Sequence, residues 1–134
     1  MPPPYILKPL HAEYRAGRRY ELMAPFVYVS AIPGVGTITV PEGRITDFHT
    51  VPWWLWSVLP PDDWAEAGVA HDELYLTGRS DDGPVTQEQA DLVHHECLIH
   101  IGAPIERADV MLEGLRLGGF VAWDAYRRRD SCCS

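Results

Sequence analysis

Two segments in the second half of the chain constrain its fold most, because each combines helical periodicity with inward-facing acid–base groups. The first contains the run His71-Asp72-Glu73-Leu74-Tyr75, and the second contains Ala90-Asp91 near its start. Adjacent helical residues point about 100° apart, so a helix that turns His71 toward a neighbouring helix aims Asp72 at a different target. The spacing therefore predicts a helical hairpin in which His71 meets Asp91 and Asp72 is left to hold a metal ion.

Capping signals predict where these two helices begin. Asp63 with Glu66, and Thr86 with Gln89, each have the spacing of a capping box, in which two side chains bond the first backbone amides of a helix. The first helix should run to about residue 76 and stop before Gly78, since glycine is favoured just beyond a helix C-terminus. The second should continue to about residue 102.

A third helix and a short fourth helix complete the predicted helical half. Pro104 suits the first turn of the third helix, Gly118-Gly119 ends it, and residues 120–128 form the last one. Each of the first three helices carries an apolar stripe at helical period, which should face the core. The predicted stripes are Trp64, Ala67, Gly68, His71, Leu74 and Tyr75; Ala90, Val93, His94, Cys97, Leu98 and Ile101; and Ile105, Ala108, Met111, Leu112 and Leu115.

The first half of the chain favours short strands and loops. Twelve prolines and 11 glycines are many for a chain of this length, and they predict frequent turns. Runs rich in β-branched and aromatic residues at 20–23, 26–29, 37–40 and 44–48 predict a small antiparallel sheet or a pair of hairpins. The apolar segment 52–59 is predicted to form a short helical turn that ends at Pro60-Pro61.

Length and element order together predict a single α+β domain. At 134 residues the chain is long enough for one core and too short for two. We expect one domain over residues 1–130, in which a strand-and-loop half at 1–60 packs on a helical half at 61–128. That helical half comprises the hairpin and a third helix, and residues 129–134 are expected to form a flexible tail.

Charge and cysteine content exclude several classes of protein. A formal net charge of −8 argues against non-specific binding to nucleic acid or to anionic lipid, which both need a basic face. No apolar run reaches the roughly 18 residues of a membrane-spanning helix, and the N-terminus lacks the pattern of a secretory signal. Cys97 and the neighbouring pair Cys132-Cys133 form no disulfide framework, which fits a reducing compartment during synthesis.

His71 and Asp72 are the residues that we expect to carry chemistry. A partly buried imidazole with a carboxylate partner is kept in one tautomer, so His71 paired with Asp91 can act as a base near neutral pH. Asp72 can hold a hard cation, with further ligands from backbone carbonyls or from Asp47 in the loop at 46–52. Such a cation polarises a carbonyl and stabilises its oxyanion while His71 draws a proton from water.

Simpler interpretations of the same residues stay open. A buried histidine is often only a hydrogen-bonded core residue, and Asp91 can be a first-turn acid that the helix dipole favours. The cluster Trp53-Trp54-Leu55-Trp56 suits a core or an interface, and less readily a surface that binds acyl chains or a partner. The vicinal cysteines Cys132 and Cys133 could bind a soft metal, although a disordered chain end explains them as well.

Four motifs in order along the chain resemble a phage and prophage family catalogued as domain of unknown function thirteen-fifty-three. They are Val40-Pro41-Glu42-Gly43-Arg44-Ile45-Thr46-Asp47-Phe48-His49-Thr50-Val51-Pro52, Leu59-Pro60-Pro61, His71-Asp72-Glu73-Leu74-Tyr75 and Ala90-Asp91. The likeness covers roughly residues 38–120. Arg44 stands where that family usually has phenylalanine, and Thr50 replaces its usual serine. The resemblance implies a bacteriophage origin, with synthesis in the host cytoplasm and incorporation into the virion as an option.

A more distant similarity is to phospholipase A2, especially the disulfide-free type found in viral capsids. His-Asp-x-x-Tyr on one helix, answered by an aspartate on the next, is the shared pattern. The resemblance implies that His71 is the water-activating base, that Asp72 is a calcium ligand, and that Tyr75 and Asp91 hold the hydrogen-bond network of His71. The glycine-rich calcium loop of phospholipases is not recognisable here, and Asp47 is the candidate to replace it. The expected cofactor is a divalent metal, calcium rather than zinc.

Two functions follow from this reading. The first is a phage-encoded, metal-assisted hydrolase that acts on an ester of the host envelope lipid, with other virion proteins as partners. The second is a non-catalytic virion component of the tail tip or neck, in which the His71–Asp91–Tyr75 network only locks two helices. In that case the Trp53-Trp54-Leu55-Trp56 cluster docks neighbouring subunits. An enzyme should have an open groove over His71, whereas a structural part should bury it.

A third alternative is a zinc peptidase or amidase that acts on peptidoglycan. Its ligands would be Asp47, His49 and His71, together with His94 or His95. Their spacing matches no established zinc motif.

Overall fold

The structure is a computed structural model, and it describes residues 2–17, 19–47, 55 and 64–133. The described residues form short antiparallel strands, most of them in the first half of the chain, and four helices in the second half, so the predicted α+β class is confirmed. No helix in the described part of the chain is long and apolar enough to span a lipid bilayer.

The strands form three small antiparallel sheets. Their bounds are Tyr5–Lys8 (β1), Ala12–Arg15 (β2), Arg19–Leu22 (β3), Phe26–Val29 (β4), Thr37–Val40 (β5), Ile45–Thr46 (β6), Arg79–Ser80 (β7) and Gly83–Pro84 (β8). One sheet has the order β1-β4-β5, the second has the order β2-β3-β6, and the third pairs β7 with β8. The pairing of Phe26 with Val40 and of Tyr28 with Ile38 places buried side chains of β4 and β5 in register.

The helices are Ala65–Thr77 (α1), Gln87–His100 (α2), Ile105–Gly118 (α3) and Phe120–Cys133 (α4). The predicted capping box at the start of α2 is confirmed, because Thr86 and Gln89 bond each other's backbone amides. The capping box predicted for α1 depends on Asp63 and is therefore not tested, while the N-cap in the described part of the chain is Trp64, which makes no side-chain cap bond. Asp63 itself lies outside the described residues.

The end of α1 agrees with the sequence prediction, whereas the end of α4 does not. Gly78 terminates α1 in the left-handed region at φ 70°, as its position after the stripe predicts. The last helix, α4, continues to Cys133 and so extends into the segment predicted as a flexible tail. Residues 129–134 carry no apolar stripe at helical period, so the sequence pattern gave no sign of the extension.

α1 is the central helix of the molecule, and it packs against α2, α4 and β5. Its predicted stripe is buried, apart from a half-buried Trp64, and Val69, Ala70 and Glu73 on its other faces are buried too. Ile105 of the α3 stripe is exposed instead of buried, because it occupies the first position of that helix.

Glu96 ties α2 to the sheet that contains β4. Its carboxylate accepts hydrogen bonds from the Tyr28 hydroxyl at 2.7 Å, from the Ser30 hydroxyl at 2.8 Å and from the backbone amide of Ala31 at 2.9 Å. Because the Tyr28 and Ser30 hydroxyls are buried, the carboxylate satisfies polar groups that would otherwise be costly to desolvate. The contact fixes α2 between the sheet and α1.

Candidate active site

His71, Tyr75 and Asp91 meet in a buried hydrogen-bonded network between α1 and α2. Nε2 of His71 lies 2.9 Å from Oδ1 of Asp91, and the Tyr75 hydroxyl donates to the same oxygen at 2.6 Å. The side chains of His71 and Tyr75 are fully buried, and Asp91 is 1% exposed. The structure therefore brings together the three residues that the sequence assigned to one network.

Helical geometry explains this arrangement. His71 and Tyr75 are four residues apart on α1, so their side chains lie on the same face one above the other. Asp91 faces them from the start of α2, and the side chain of Gln87 also bonds the Tyr75 hydroxyl. Burial, followed by the charge of Asp91, raises the pKa of Tyr75, so its phenol stays protonated and acts as a donor.

Among the described residues, two rings pack against the His71 imidazole. The Tyr75 ring lies at a centroid distance of 4.2 Å, and the His94 ring lies at 5.0 Å with an interplanar angle of 66°. His94 is 4% exposed, and burial lowers its pKa well below the ordinary value. Its Nδ1 atom has no hydrogen-bond partner among the described residues, and leaving such a group unpaired costs about 1–3 kcal/mol.

The last helix, α4, supports the network from behind, and sequence reasoning missed this role. The Trp123 ring packs edge-on against Tyr75 at 5.2 Å, and Nη2 of Arg127 donates to the backbone carbonyls of Tyr75 and Leu76 at 2.8 and 3.0 Å. A Cβ atom on Gly119 would lie 2.5 Å from the Tyr75 hydroxyl, so only glycine fits there. The sequence marks Gly119 as a helix end, and only the tertiary fold reveals this close approach.

Asp72 faces a different space from His71, as the angular argument predicted. Asp72 and Asp47 line one small pocket of about 90 Å³, and the Thr46 hydroxyl donates to Asp72. Tyr126 of α4 lines the same pocket, and its pKa is raised by burial and then by the charges of Asp72 and Asp47. The two candidate metal ligands are thus brought to one pocket.

An ion pair forms another wall of this pocket. Nε and Nη2 of Arg44 donate to the two carboxylate oxygens of Glu73 at 2.7 and 3.1 Å. Burial raises the pKa of Glu73, and the hydrogen bonds from Arg44 oppose that rise. The arginine at position 44 therefore has a structural purpose here, since it compensates a buried carboxylate beside Asp72.

A metal ion at this pocket would need ligands beyond its carboxylates. Within the described ranges no group of three or more histidine, cysteine, aspartate or glutamate side chains is arranged to hold a metal. Asp47 and Asp72 offer two hard oxygen donors, which suit calcium or magnesium rather than zinc, and backbone carbonyls and water would complete the shell.

The described residues of the zinc alternative lie in different surroundings. His94 packs on His71, whereas His95 points to the interface with α3, where its Nε2 lies 2.7 Å from Oδ1 of Asp109. His49, another proposed ligand, lies outside the described residues, as does the tryptophan cluster apart from Leu55. The structure likewise describes no side chains for Cys132 and Cys133, while Cys97 is buried in the core.

Access to the network differs between its two ends. His71 is fully buried, so the part of the chain that the structure describes leaves no open groove directly over the imidazole. An open groove of about 340 Å³ instead reaches Asp91, between Gln87, Glu88 and Arg116. Solvent therefore approaches the network from its carboxylate end.

The chain matches one family model. A family model described as "Protein of unknown function (DUF1353)" matches residues 20–114, and the chain belongs to this family. The matched range contains the network and the carboxylate pair, whereas Trp123, Tyr126 and Arg127 of α4 lie beyond it. No curated protein and no solved structure gives a significant match.

Proposed function

We propose that this protein is a metal-assisted hydrolase in which His71 is the general base. The supporting observation is that Oδ1 of Asp91 accepts hydrogen bonds from both His71 and Tyr75. Asp72, the residue that follows His71, lines a separate pocket together with Asp47. A base held by a buried acid and a nearby hard-cation site together form the minimal equipment for hydrolysing an ester.

The proposed mechanism divides the work between the two groups. The imidazole of His71, which Asp91 holds through Nε2, would take a proton from the attacking water. The carboxylate of Asp91 balances the positive charge that the imidazole then acquires, and Tyr75 keeps that carboxylate in place. A divalent cation bound by Asp72 and Asp47, with calcium as the first candidate, would polarise the ester carbonyl and stabilise the oxyanion.

The proposed substrate is an ester of the host envelope lipid, and the proposed setting is a bacteriophage. Both rest on the sequence resemblances to phage proteins and to phospholipase A2. The protein would be made in the host cytoplasm and carried in the virion, where an envelope-directed hydrolase would assist entry.

Calcium-dependent hydrolysis tests the metal assignment. We expect the protein to hydrolyse phospholipid vesicles with calcium, and Asp72→Asn to lower the rate about a hundredfold or more by removing a ligand charge. Asp109→Asn is a matched control, because Asp109 is an exposed carboxylate on α3. If wild type and Asp72→Asn release fatty acid at the same rate, Asp72 is not a metal ligand in this reaction.

A second candidate function is supported by the complete burial of His71. In this alternative the protein is a non-catalytic virion component of the tail tip or neck, and the network serves only to lock α1 against α2. It predicts that His71→Ala lowers the melting temperature and reduces incorporation into particles, while no ester is hydrolysed by either form.

A further inference from the structure

Four large apolar side chains lie exposed on the outer side of α3 and the start of α4. They are Val110, Leu117, Phe120 and Val121, each between 51% and 73% exposed. A single exposed apolar side chain is ordinary in a folded protein, whereas a contiguous group of them marks an interaction surface. We call these four residues the outer apolar face. It lies apart from the buried network and from the carboxylate pocket.

Helical geometry places the four side chains on one side of the molecule. The other three members are seven residues before Leu117 and three and four residues after it, which are the spacings of a single helix face. Helical hydrogen bonds also continue across the junction of α3 and α4. The Gly119 amide donates to the Leu115 carbonyl at 2.7 Å, and the Gly119 carbonyl accepts from the Trp123 amide at 3.1 Å. The face therefore extends over both helices.

The two ends of this face carry opposite charges. Glu106 near the start of α3 and Arg128 in α4 are both exposed, and neither forms an ion pair with another described residue. Each lies 11 residues from Leu117, which is about three helical turns, so both charges lie on the same side as the outer apolar face. Two such faces packed antiparallel about Leu117 bring Glu106 of each copy beside Arg128 of the other.

We propose that the outer apolar face is the interface of a homodimer, in which two copies of the chain pack antiparallel about a twofold axis near Leu117. A twofold interface must be complementary to itself, and the apolar centre and the oppositely charged ends meet this requirement. The exposed carboxylates of Glu113 and Asp124 lie beside the apolar side chains and form a polar rim. A membrane surface is a poorer match, because a net charge of −8 opposes binding to anionic lipid.

Sedimentation velocity between about 1 and 100 µM protein, a range that covers weak interfaces, tests the dimer. We expect wild type to approach twice the 15.1 kDa mass of the chain as its concentration rises. Leu117→Glu places two like charges at the axis, and we expect the dissociation constant to rise about a hundredfold or more. Ile105→Glu is the matched control, because Ile105 is an exposed apolar residue of α3 that lies about 140° around the helix from Val110. It should leave the dissociation constant within about twofold of wild type.

A charge exchange tests the antiparallel arrangement. Glu106→Arg and Arg128→Glu should each weaken the dimer about tenfold, because each change turns two attractive contacts into repulsive ones. The double variant should regain the affinity of wild type. Melting temperatures check that each variant is folded, which we expect since every altered side chain is exposed.

Three results would overturn the proposal. They are a wild type that stays monomeric at every concentration, a folded Leu117→Glu protein that dimerises like wild type, and a double variant that is no tighter than the single ones. Co-sedimentation of a monomeric wild type with phosphatidylglycerol or phosphatidylcholine vesicles would assign the face to a lipid surface instead. The dimer does not depend on the proposed hydrolase function, so sedimentation decides it whether or not the protein hydrolyses an ester.

Discussion

Asp91 shows how one buried atom can organise a site. Its Oδ1 accepts from His71 and from Tyr75, and because the residue is only 1% exposed, an unbonded carboxylate there would be very costly. The two donors compensate that cost, and in return the carboxylate fixes which nitrogen of His71 carries a proton. The same three residues therefore provide both stability between α1 and α2 and a defined tautomer.

His94 makes a pH-dependent contribution to stability that can be measured directly. Burial lowers its pKa in the folded state, so below about pH 6.5 the unfolded chain takes up a proton that the folded protein does not. The unfolding free energy of the wild type should therefore fall as the pH decreases. His94→Phe lacks this proton uptake and also lacks the unpaired nitrogen.

Urea unfolding between pH 7.5 and pH 5 checks this expectation. We predict that His94→Phe is more stable than wild type, and that its advantage grows by up to about 1.4 kcal/mol for each pH unit below pH 6.5. An advantage that stays constant with pH would show that His94 is protonated in the folded protein.

Among the elements, α4 is the one whose contacts with the site the sequence did not predict. It lies outside the range that matches the family, yet Trp123 packs on Tyr75 and Arg127 caps the C-terminal carbonyls of α1. Positive charge at the end of α1 also complements the helix dipole. The range that matches the family model contains the network, and α4, which lies beyond that range, contacts Tyr75 through Trp123.

Gly119→Ala tests the close approach between the network and Gly119, the residue that ends α3 and precedes α4. Alanine normally stabilises a helical position by about 1 kcal/mol, and the backbone of Gly119 at φ −67° would accept it. The added Cβ would lie 2.5 Å from the Tyr75 hydroxyl and 2.7 Å from the Leu115 carbonyl, so we expect destabilisation of about 1–3 kcal/mol in thermal unfolding.

A Tyr75→Phe background provides the matched control for this substitution. Removing the hydroxyl removes one of the two close contacts, so the cost of Gly119→Ala should be smaller there than in the wild type. A higher melting temperature for Gly119→Ala in the wild-type background would show that Gly119 and Tyr75 are not packed this closely.

At the scale of the whole molecule, local patterns predicted the elements that carry the site. The α2 capping box, the end of α1 at Gly78 and the strands at 26–29 and 37–40 follow from side-chain chemistry within a few residues, so they could be predicted. The meeting of His71 with Asp91 was predictable because helical period aims both inward. Helical period also turns Asp72 away from His71, whereas Asp47 follows β6 and reaches the same pocket only through the packing of that strand against α1.

The features that the sequence did not predict depend on contacts between distant parts of the chain. β2 is exposed along its length, so it shows no alternation that could identify it as a strand. The pairing of Arg44 with Glu73, the packing of His94 on His71 and the support from α4 arise only when the elements pack. None of these contacts has a signature within a single segment.

The most direct test of whether the buried imidazole is a base compares wild type with His71→Ala. It measures the rate of ester hydrolysis with calcium, and the melting temperature of each protein shows whether it is folded. The account predicts turnover by the wild type and a loss of about a thousandfold or more in a His71→Ala protein that remains folded. Equal rates in the two proteins, or no turnover by the wild type on phospholipid and on a model ester, would contradict it.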